Sequence, residues 1–297
     1  MEPLLSHAFD NLSSYDGGKI RKGLRQVEGL LAQICLSTSS SRTRINSNLA
    51  DKRRSMVNDP GKEPPARKQL AELPEDPAFR EFFKLQDGFE WNVALRLVNC
   101  LDRLLGKSND GQNDLLLLAC LDLIQGILLL HPPSRGLFSR EIYMNHLLDL
   151  LEPVNCPAIQ SATLLTLVCA LLSTPQNTRA FETLDGLLTV TSLFKSRSTS
   201  REVKLKLVEF LYFYLMPETP SIPRADATNS IPAMLQRSPS KLAGAFDGAR
   251  GRRRADSDSG DTKTTEEKQA LLGRYLSSVD DLVADLRESA PFGGVVC

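Results

Sequence analysis

The sequence predicts an all-α protein built from repeated helices, and two observations support this prediction. Three long apolar segments begin at Asp114, Pro157 and Ser200, so that each starts 43 residues after the one before. No segment alternates apolar and polar residues between hairpin turns, which a half-buried β-strand would do. A period of 43 residues falls within the roughly 40–47 residues of armadillo and HEAT repeats. We therefore expect an armadillo/HEAT-like α-solenoid of about three repeats, flanked by N- and C-terminal amphipathic helices.

The apolar positions of the three segments fall in register with one another. The matched sets are Leu121/Leu164/Leu207, Ile124/Leu167/Phe210, Leu128/Leu171/Tyr214 and Leu129/Leu172/Leu215. A proline follows each segment, at positions 132, 175 and 217. Proline cannot continue a helix because it lacks the backbone N–H. We expect the first two sets to lie in one continuous core.

The part of the chain before the second repeat is expected to contain three further helices. Residues 17–36 carry apolar side chains spaced three and four apart, which places them on one face of an amphipathic helix. In the first repeat, a short helix near 79–86 precedes a longer one over 89–105. A polar insertion over 106–113 then breaks the register.

The third repeat shows the same arrangement. Residues 177–184 and 186–195 predict two short helices, with a corner at Gly186, where glycine permits a sharp turn. Thr199 and Glu202 have the three-residue spacing of a capping box, which would open the last core helix.

The C-terminal segment predicts one further amphipathic helix. Thr264 and Glu267 have the spacing of a capping box. The apolar stripe that follows consists of Leu272, Tyr275, Leu276, Val279, Leu282, Val283 and Leu286. A helix with such a stripe depends for its stability on burying it.

The end of the last repeat offers a surface for that stripe. Residues 210–215 are apolar without interruption, whereas the terminal repeat of a solenoid needs a polar outer face or a cover. We expect the C-terminal helix to fold back as a cap, with Tyr275 and Leu282 against Tyr212 and Phe213, and the composite surface to bind the partner. The rival interpretation is a free arm that docks directly into the partner.

Two polar stretches separate these parts. Residues 37–68 and 218–262 hold few large apolar side chains, and we expect both to be disordered because they cannot offset the entropy of ordering. Ser47 and Ser257 each follow an arginine pair, and Ser238 precedes a proline, so all three are phosphorylation candidates. The chain then divides into an N-terminal helical segment (1–36), a linker (37–68), a repeat core (69–217), a phosphorylatable linker (218–262) and a C-terminal helix (263–297).

Composition favours neither a nucleic-acid nor a membrane partner. Basic and acidic residues number 36 each, so the formal net charge is zero. The N-terminus lacks the charged and apolar regions of a secretory signal. The apolar stretch 115–130 is shorter than the roughly 20 residues of a membrane span, so we interpret it as a buried core helix. Six scattered cysteines without a Cys-x-x-Cys pair predict reduced thiols and a cytoplasmic or nuclear location, of which we expect the cytoplasm.

No motif for catalysis or for a cofactor is complete. The Gly-Lys-Ser string at 106–108 resembles the end of a phosphate loop, but Leu101 stands where the loop needs its first glycine. His7, His131 and His146 are too scattered for zinc, which needs three or four converging ligands. None of the first five cysteines has an arginine six residues later, as a phosphatase nucleophile requires. We expect no enzymatic activity, cofactor, metal or small-molecule substrate.

Two long strings carry a family resemblance. Residues 177–218 (NTRAFETLDGLLTVTSLFKSRSTSREVKLKLVEFLYFYLMPE) and 264–293 (TTEEKQALLGRYLSSVDDLVADLRESAPFG) closely resemble the fungal cell division control protein 14 family. That family is a component of the septation initiation network and is unrelated to the phosphatase of the same name. The resemblance implies an armadillo-like fold and a partner role for a germinal-centre (Ste20-like) kinase. It also implies association with the spindle pole body in mitotic exit, and a role in septum formation and cytokinesis. It implies no catalytic residues.

A second class of function stays open at this point. The basic run over 250–254 could serve a nuclear-transport or nucleic-acid-binding helical-repeat adaptor as its main contact. The zero net charge and the lack of a basic stripe on the repeat helices count against this class. Partner binding that weakens steeply with salt would favour nucleic acid.

Overall fold

A computed structural model of the chain describes residues 1–36, 68, 72–106, 111, 113–218 and 262–289, the last five of them by backbone alone. Over these ranges the chain is helical and forms no β-strand, so the predicted all-α class is confirmed. Most of both predicted linkers lies outside the described residues, and so do Ser47, Ser238 and Ser257. The division of the chain into five segments stays a prediction.

Helices account for most of the described chain. The α-helices are α1 (Glu2–Leu12), α2 (Gly17–Cys35), α3 (Pro77–Asp87), α4 (Val93–Leu105), α5 (Asp114–Leu130), α6 (Glu141–Asp149), α7 (Pro157–Leu171), α8 (Pro175–Thr183), α9 (Gly186–Lys195), α10 (Arg201–Leu215), α11 (Thr265–Leu272) and α12 (Val279–Ser289). Short 3₁₀ segments span Leu73–Glu75 and Pro132–Ser139.

The three long repeat helices begin where the sequence predicts. These are α5 at Asp114, α7 at Pro157 and α10 at Arg201, directly after its N-cap. Helix α5 packs against α2 and α7, and α7 packs against α10. The six residues predicted for the common core are at most 1% exposed: Leu121, Leu164, Leu207, Ile124, Leu167 and Phe210. Successive long helices therefore share one core.

The fourth matched set does not share one environment. Leu215 is buried in α10, but Leu129 is 51% exposed in the last turn of α5. Helix α5 continues to Leu130, whereas α7 ends at Leu171 and Leu172 lies beyond it. The register is lost in the last turn because the helices differ in length.

Polar side chains join the second and third repeats. The Arg135 guanidinium donates to the carbonyl of Leu128 at 3.0 Å and to that of Leu172 at 2.9 Å. The Asn177 amide donates to the carbonyls of Arg135 at 2.7 Å and Ala170 at 2.6 Å. Both side chains are buried, so they satisfy carbonyls that the helix ends leave without partners.

The start of α10 differs from the prediction by one residue. The side chain of Ser200, not Thr199, caps the helix by accepting a hydrogen bond from the Val203 N–H at 3.3 Å. Thr199 instead donates to the carbonyl of Leu193 at 2.7 Å. The predicted capping box is therefore wrong, because the hydroxyl of Thr199 is taken up by the preceding helix.

The predicted helix over 89–105 also starts later than expected. Asn92 caps α4 by accepting a hydrogen bond from the Leu95 N–H at 2.8 Å, and the four residues from 89 to 92 are not helical. Asparagine is among the strongest N-cap residues, and it fixes the helix start here against the apolar pattern.

The corner before α9 depends on two residues rather than one. Asp185 has the left-handed φ of 58°, so the turn itself does not use the glycine. A Cβ built on Gly186 would lie 2.3 Å from Cε2 of Phe181. Glycine is needed at this position because the phenyl ring occupies the space of a side chain.

The C-terminal segment contains two helices where one is predicted. Helix α11 ends at Leu272, with Gly273 as its C-cap, and α12 begins at Val279. Glycine lowers helix propensity, and the serines at 277 and 278 favour turns over helix interiors. The Gln269 amide donates to the Asp280 carboxylate at 2.6 Å, which ties the two helices to each other.

The residues that flank each of the two long undescribed stretches are hydrogen-bonded to each other. The Lys68 N–H donates to the carbonyl of Cys35 at 3.0 Å, and the Lys68 ammonium donates to the carbonyl of Ile34. The Glu218 N–H donates to the carbonyl of Lys263 at 3.2 Å. The chain therefore returns to the helix end from which it departs.

Candidate functional site: the closed end of the repeats

The apolar run at the end of α10 divides between the core and the surface. Phe210, Leu211, Tyr214 and Leu215 are buried, whereas the predicted site residues Tyr212 and Phe213 are half-buried. The ring of Phe210 meets that of Phe181 edge-on, with 5.6 Å between centroids. Core packing therefore accounts for four of the six residues and leaves two at the edge of the helix.

Helices α11 and α12 lie against α10. The stripe residues Leu272, Leu276, Val279 and Val283 are buried, and Tyr275 and Leu282 are half-buried. The Lys195 ammonium donates to the carbonyl of Tyr275, which attaches the α11–α12 turn to α9. The side chain of Leu286 lies outside the described residues. The predicted residues thus stand on neighbouring helices, and their role in binding a partner stays a prediction.

Five charged residues hold this end together. The Glu218 carboxylate meets the Arg179 guanidinium at 2.6 Å and the Lys268 ammonium at 3.0 Å. The Glu182 carboxylate meets the Lys263 ammonium and, at 3.2 Å, the same guanidinium. Glu182 and Arg179 lie on α8 and Lys268 on α11, so the cluster joins the third repeat to the C-terminal helices.

The buried Tyr214 completes the cluster. Its hydroxyl donates to the Glu182 carboxylate at 2.8 Å, and the Lys268 ammonium lies 5.2 Å from the centre of its ring. Burial, with the nearby Glu182 charge, raises the pKa of Tyr214 far above its usual range. Burial lowers the pKa of Lys268, and the hydrogen bond to Glu218 opposes that shift. The arrangement pairs its charges internally and serves to lock α11 onto α8 and α10.

Sequence reasoning missed this cluster. One signal was available, because Lys268 stands four residues before Leu272 and therefore lies on the face of the apolar stripe, one turn ahead of it. A lysine at such a position buries its stem and needs a carboxylate for its ammonium. The identity of that carboxylate, at position 218, depends on tertiary structure.

A small cavity opens beside the cluster. It has a volume of about 170 Å³, and its wall includes Leu172, Pro175, Phe213, Met216 and Lys268. The Lys268 ammonium also donates to the carbonyl of Met216 at 2.9 Å. The cavity therefore combines an apolar wall with a cation that is already bound to Glu218 and to the carbonyl of Met216.

The other residues considered for chemistry have structural contacts. His131 is buried between the hydroxyl of Ser134 at 2.8 Å and the carboxylate of Asp87 at 3.2 Å, and burial lowers its pKa. His146 lies 3.3 Å from the carboxylate of Asp102. Within the described ranges, no group of three or more His, Cys, Asp or Glu side chains is placed to hold a metal ion.

The cysteines of the described chain are free thiols. The Cys100 side chain and burial both raise the pKa of Cys120, which keeps that thiol protonated. Cys297 and the Lys-Ser pair at 107–108 lie outside the described residues.

Of the helices that the structure describes, none is by itself long and apolar enough for a membrane span. Helix α5 reaches the required length only together with the following 3₁₀ segment, and a bend of 120° separates the two.

The fold and the closed end define a class: an all-α helical-repeat protein whose last repeat is covered by two helices tied down by buried ion pairs. The chain matches the family model "Cell division control protein 14, SIN component" over residues 1–292, and it belongs to that family. The family resemblance of the two sequence strings is thereby confirmed.

A curated relative is similar over nearly its full length. The "Cell division control protein 14" of Schizosaccharomyces pombe is 28% identical over 302 residues, which cover 99% of this chain and 97% of the relative. No solved structure matches the chain significantly. The protein is thus a member of a cell division control family of the septation initiation network.

Proposed function

We propose that the protein is a non-catalytic scaffold that binds and supports a germinal-centre (Ste20-like) kinase of the septation initiation network, and so promotes septum formation and cytokinesis. The observation that carries the proposal is the family match over residues 1–292, which spans the repeats and the C-terminal helices as one unit. The proposed location is the cytoplasm, with association at the spindle pole body in mitosis.

The helical repeats support a binding role. Stacked repeats form extended surfaces that proteins of this kind use for partners. On the consecutive long helices, Leu115, Leu165 and Leu205 are all exposed. Apolar side chains of this size on an exposed helix face give a partner area to bury.

The docking surface that we propose lies at the closed end. Tyr212 and Phe213 on α10, with Tyr275 and Leu282 of the C-terminal segment, are half-buried and remain accessible in part. Large aromatic side chains of this kind carry much of the binding energy at protein interfaces. Leu272 and Val279 are buried beneath that surface and support it, and Leu286 belongs to the same stripe in the sequence.

Co-purification tests the proposal directly. The full-length protein is expressed with the Ste20-like kinase of the same organism, and the complex is measured by size exclusion and by a titration of binding. A stable complex with increased kinase activity, and no hydrolysis of nucleotides or phosphoesters by the protein alone, is the expected result. A purified chain that hydrolyses either substrate, or that does not bind the kinase, would contradict the proposal.

A further inference from the structure

The joint between α2 and α5 contains a wide groove. The two helices lie side by side with their first turns level, since a Cβ built on Gly17 would lie 3.6 Å from Cδ1 of Leu116. A groove of about 510 Å³ runs between them. This volume falls within the roughly 300–1,000 Å³ of typical ligand sites.

The next helix pair along the chain, α5 and α7, packs without such a groove. Ile159, Ala162, Thr163 and Thr166 on α7 are all buried. The Gln125 amide on α5 donates to the carbonyl of Ala162 and to the hydroxyl of Thr166, both at 3.1 Å. Two repeat helices in full contact therefore leave no groove at these positions.

The corresponding residues of α5, one repeat earlier, are partly exposed to solvent. Leu116, Ala119 and Leu123 precede Ile159, Ala162 and Thr166 by one repeat. Leu116 is buried, but Ala119 and Leu123 are half-buried, and Leu115 beside them is 73% exposed. Helix α2 thus covers only part of the apolar face that a repeat helix would cover.

The walls of the groove carry charged side chains from both helices. Arg21 and Arg25 on α2 line it, and neither makes a hydrogen bond or ion pair with another described residue. Glu28 lies further along α2, close to Asp122 of α5, and burial together with Glu28 raises the pKa of Asp122. The groove is therefore basic towards the start of α2 and acidic towards its middle, over about 10 Å of helix.

We propose that this groove binds an amphipathic helix of the kinase partner, and the inference rests on the proposed function. The docked helix places apolar side chains on Leu115 and Leu123, a carboxylate at Arg21 and Arg25, and a lysine or arginine at Glu28 and Asp122. Apolar anchors give such helix-in-groove contacts their affinity, and the end charges fix their direction. Because α2 and the closed end stand at opposite ends of the helix series, the partner makes two separate contacts, and linkage of the two raises the overall affinity.

The test compares two surface substitutions in the full-length protein, with the Ste20-like kinase as the probe. Leu115→Glu puts a charge on the wall of the groove. Ile142→Glu is the matched control, because Ile142 is 59% exposed on α6, outside the groove. We expect Leu115→Glu to weaken kinase binding at least tenfold and Ile142→Glu to leave it within twofold. Arg21→Glu with Arg25→Glu should also weaken binding and should alter its salt dependence.

The remaining outcomes separate the alternatives. If Leu115→Glu leaves kinase binding unchanged, the groove proposal is wrong and the proposed function still stands. A wild-type chain that does not bind the kinase overturns both. If Leu115→Glu alone lowers the melting temperature, a segment of this chain covers the groove. If it converts a dimer into a monomer in light scattering, a second copy occupies it. Either of these results overturns the proposal.

Discussion

The ammonium of Lys268 lies 3.0 Å from the carboxylate of Glu218, and both side chains are less than a tenth exposed. The two residues belong to different parts of the chain, since Lys268 is on α11 and Glu218 follows α10. Removing one partner of a buried ion pair leaves the other charge buried without compensation. The pair is therefore a sensitive indicator of whether α11 is seated on the repeats.

Lys268→Ala is expected to lower the free energy of unfolding by about 3–5 kcal/mol, the range for breaking a buried pair. Chemical denaturation of the full-length protein measures it. Lys206→Ala is the control, because Lys206 pairs with Glu209 on the exposed side of α10 and such a pair contributes about 1 kcal/mol or less. Equal effects of the two substitutions would show that the buried pair does not hold α11 in place.

Leu164→Ala should lower the free energy of unfolding by ~2–5 kcal/mol, since Leu164 is buried in the core shared by α5, α7 and α10 and the substitution leaves a cavity. The neighbouring Leu165 is 41% exposed, so Leu165→Ala is expected to cost much less. If denaturation gives the two variants the same stability, the repeat alignment assigns the wrong face of α7 to the core.

Truncation before Thr264 removes α11 and α12. The cap hypothesis predicts a lower melting temperature and increased binding of an apolar dye even without kinase, because Tyr214 and Leu215 of α10 lose their cover. Calorimetry and dye fluorescence measure the two effects. A truncated chain that melts at the wild-type temperature yet loses kinase binding would establish the free-arm alternative instead.

His131 should make stability depend on pH. Burial lowers the pKa of His131 below its ordinary 6.5, so the folded state binds fewer protons than the unfolded chain. The stability that the neutral ring provides is therefore present above about pH 6.5 and is lost as the pH falls through the folded pKa. The difference in unfolding free energy between wild type and His131→Gln should shrink between pH 7 and 5. A difference that stays constant over this range would show that the buried ring does not couple folding to pH.

Ser238 and Ser257 should carry phosphate in mitotic cells, and Ser47 is a further candidate. Each phosphate adds about −1.5 to −2 charges, and at Ser238 and Ser257 it does so close to basic residues at 241 and 252–254. Phosphopeptide mapping of arrested and cycling cells checks the prediction. If all three serines are unmodified at every stage, these stretches act only as spacers.

The main elements could be predicted because their signals are local. Proline positions and apolar spacing set the limits of α5, α7 and α10, and one matched set such as Leu121, Leu164 and Leu207 identifies the core. The break between α11 and α12 was missed because the apolar stripe continues in register across Gly273. An apolar pattern specifies which face is buried, and it does not specify whether the backbone stays helical throughout.

The ion pairs at the closed end could not be predicted for a different reason. Glu182, Glu218 and Lys268 are separated by 36 and 50 residues in the sequence and meet only through packing of α8, α10 and α11. No local pattern distinguishes these charges from those of an exposed surface. Lys268 alone was detectable, from its place on an apolar stripe.

The backbone hydrogen bonds from Lys68 to Cys35 and from Glu218 to Lys263 bring together the two ends of residues 36–67 and the two ends of residues 219–262. Closing a loop costs free energy that grows only with the logarithm of its length, about 0.6 kcal/mol for each doubling. The stability of the helical body therefore depends only weakly on how many residues either segment contains. New modification sites, localisation signals or whole inserted domains can accumulate in these segments at little cost to the stability of the packed helices. Regulation of the protein can therefore diverge between species while its helical body stays the same.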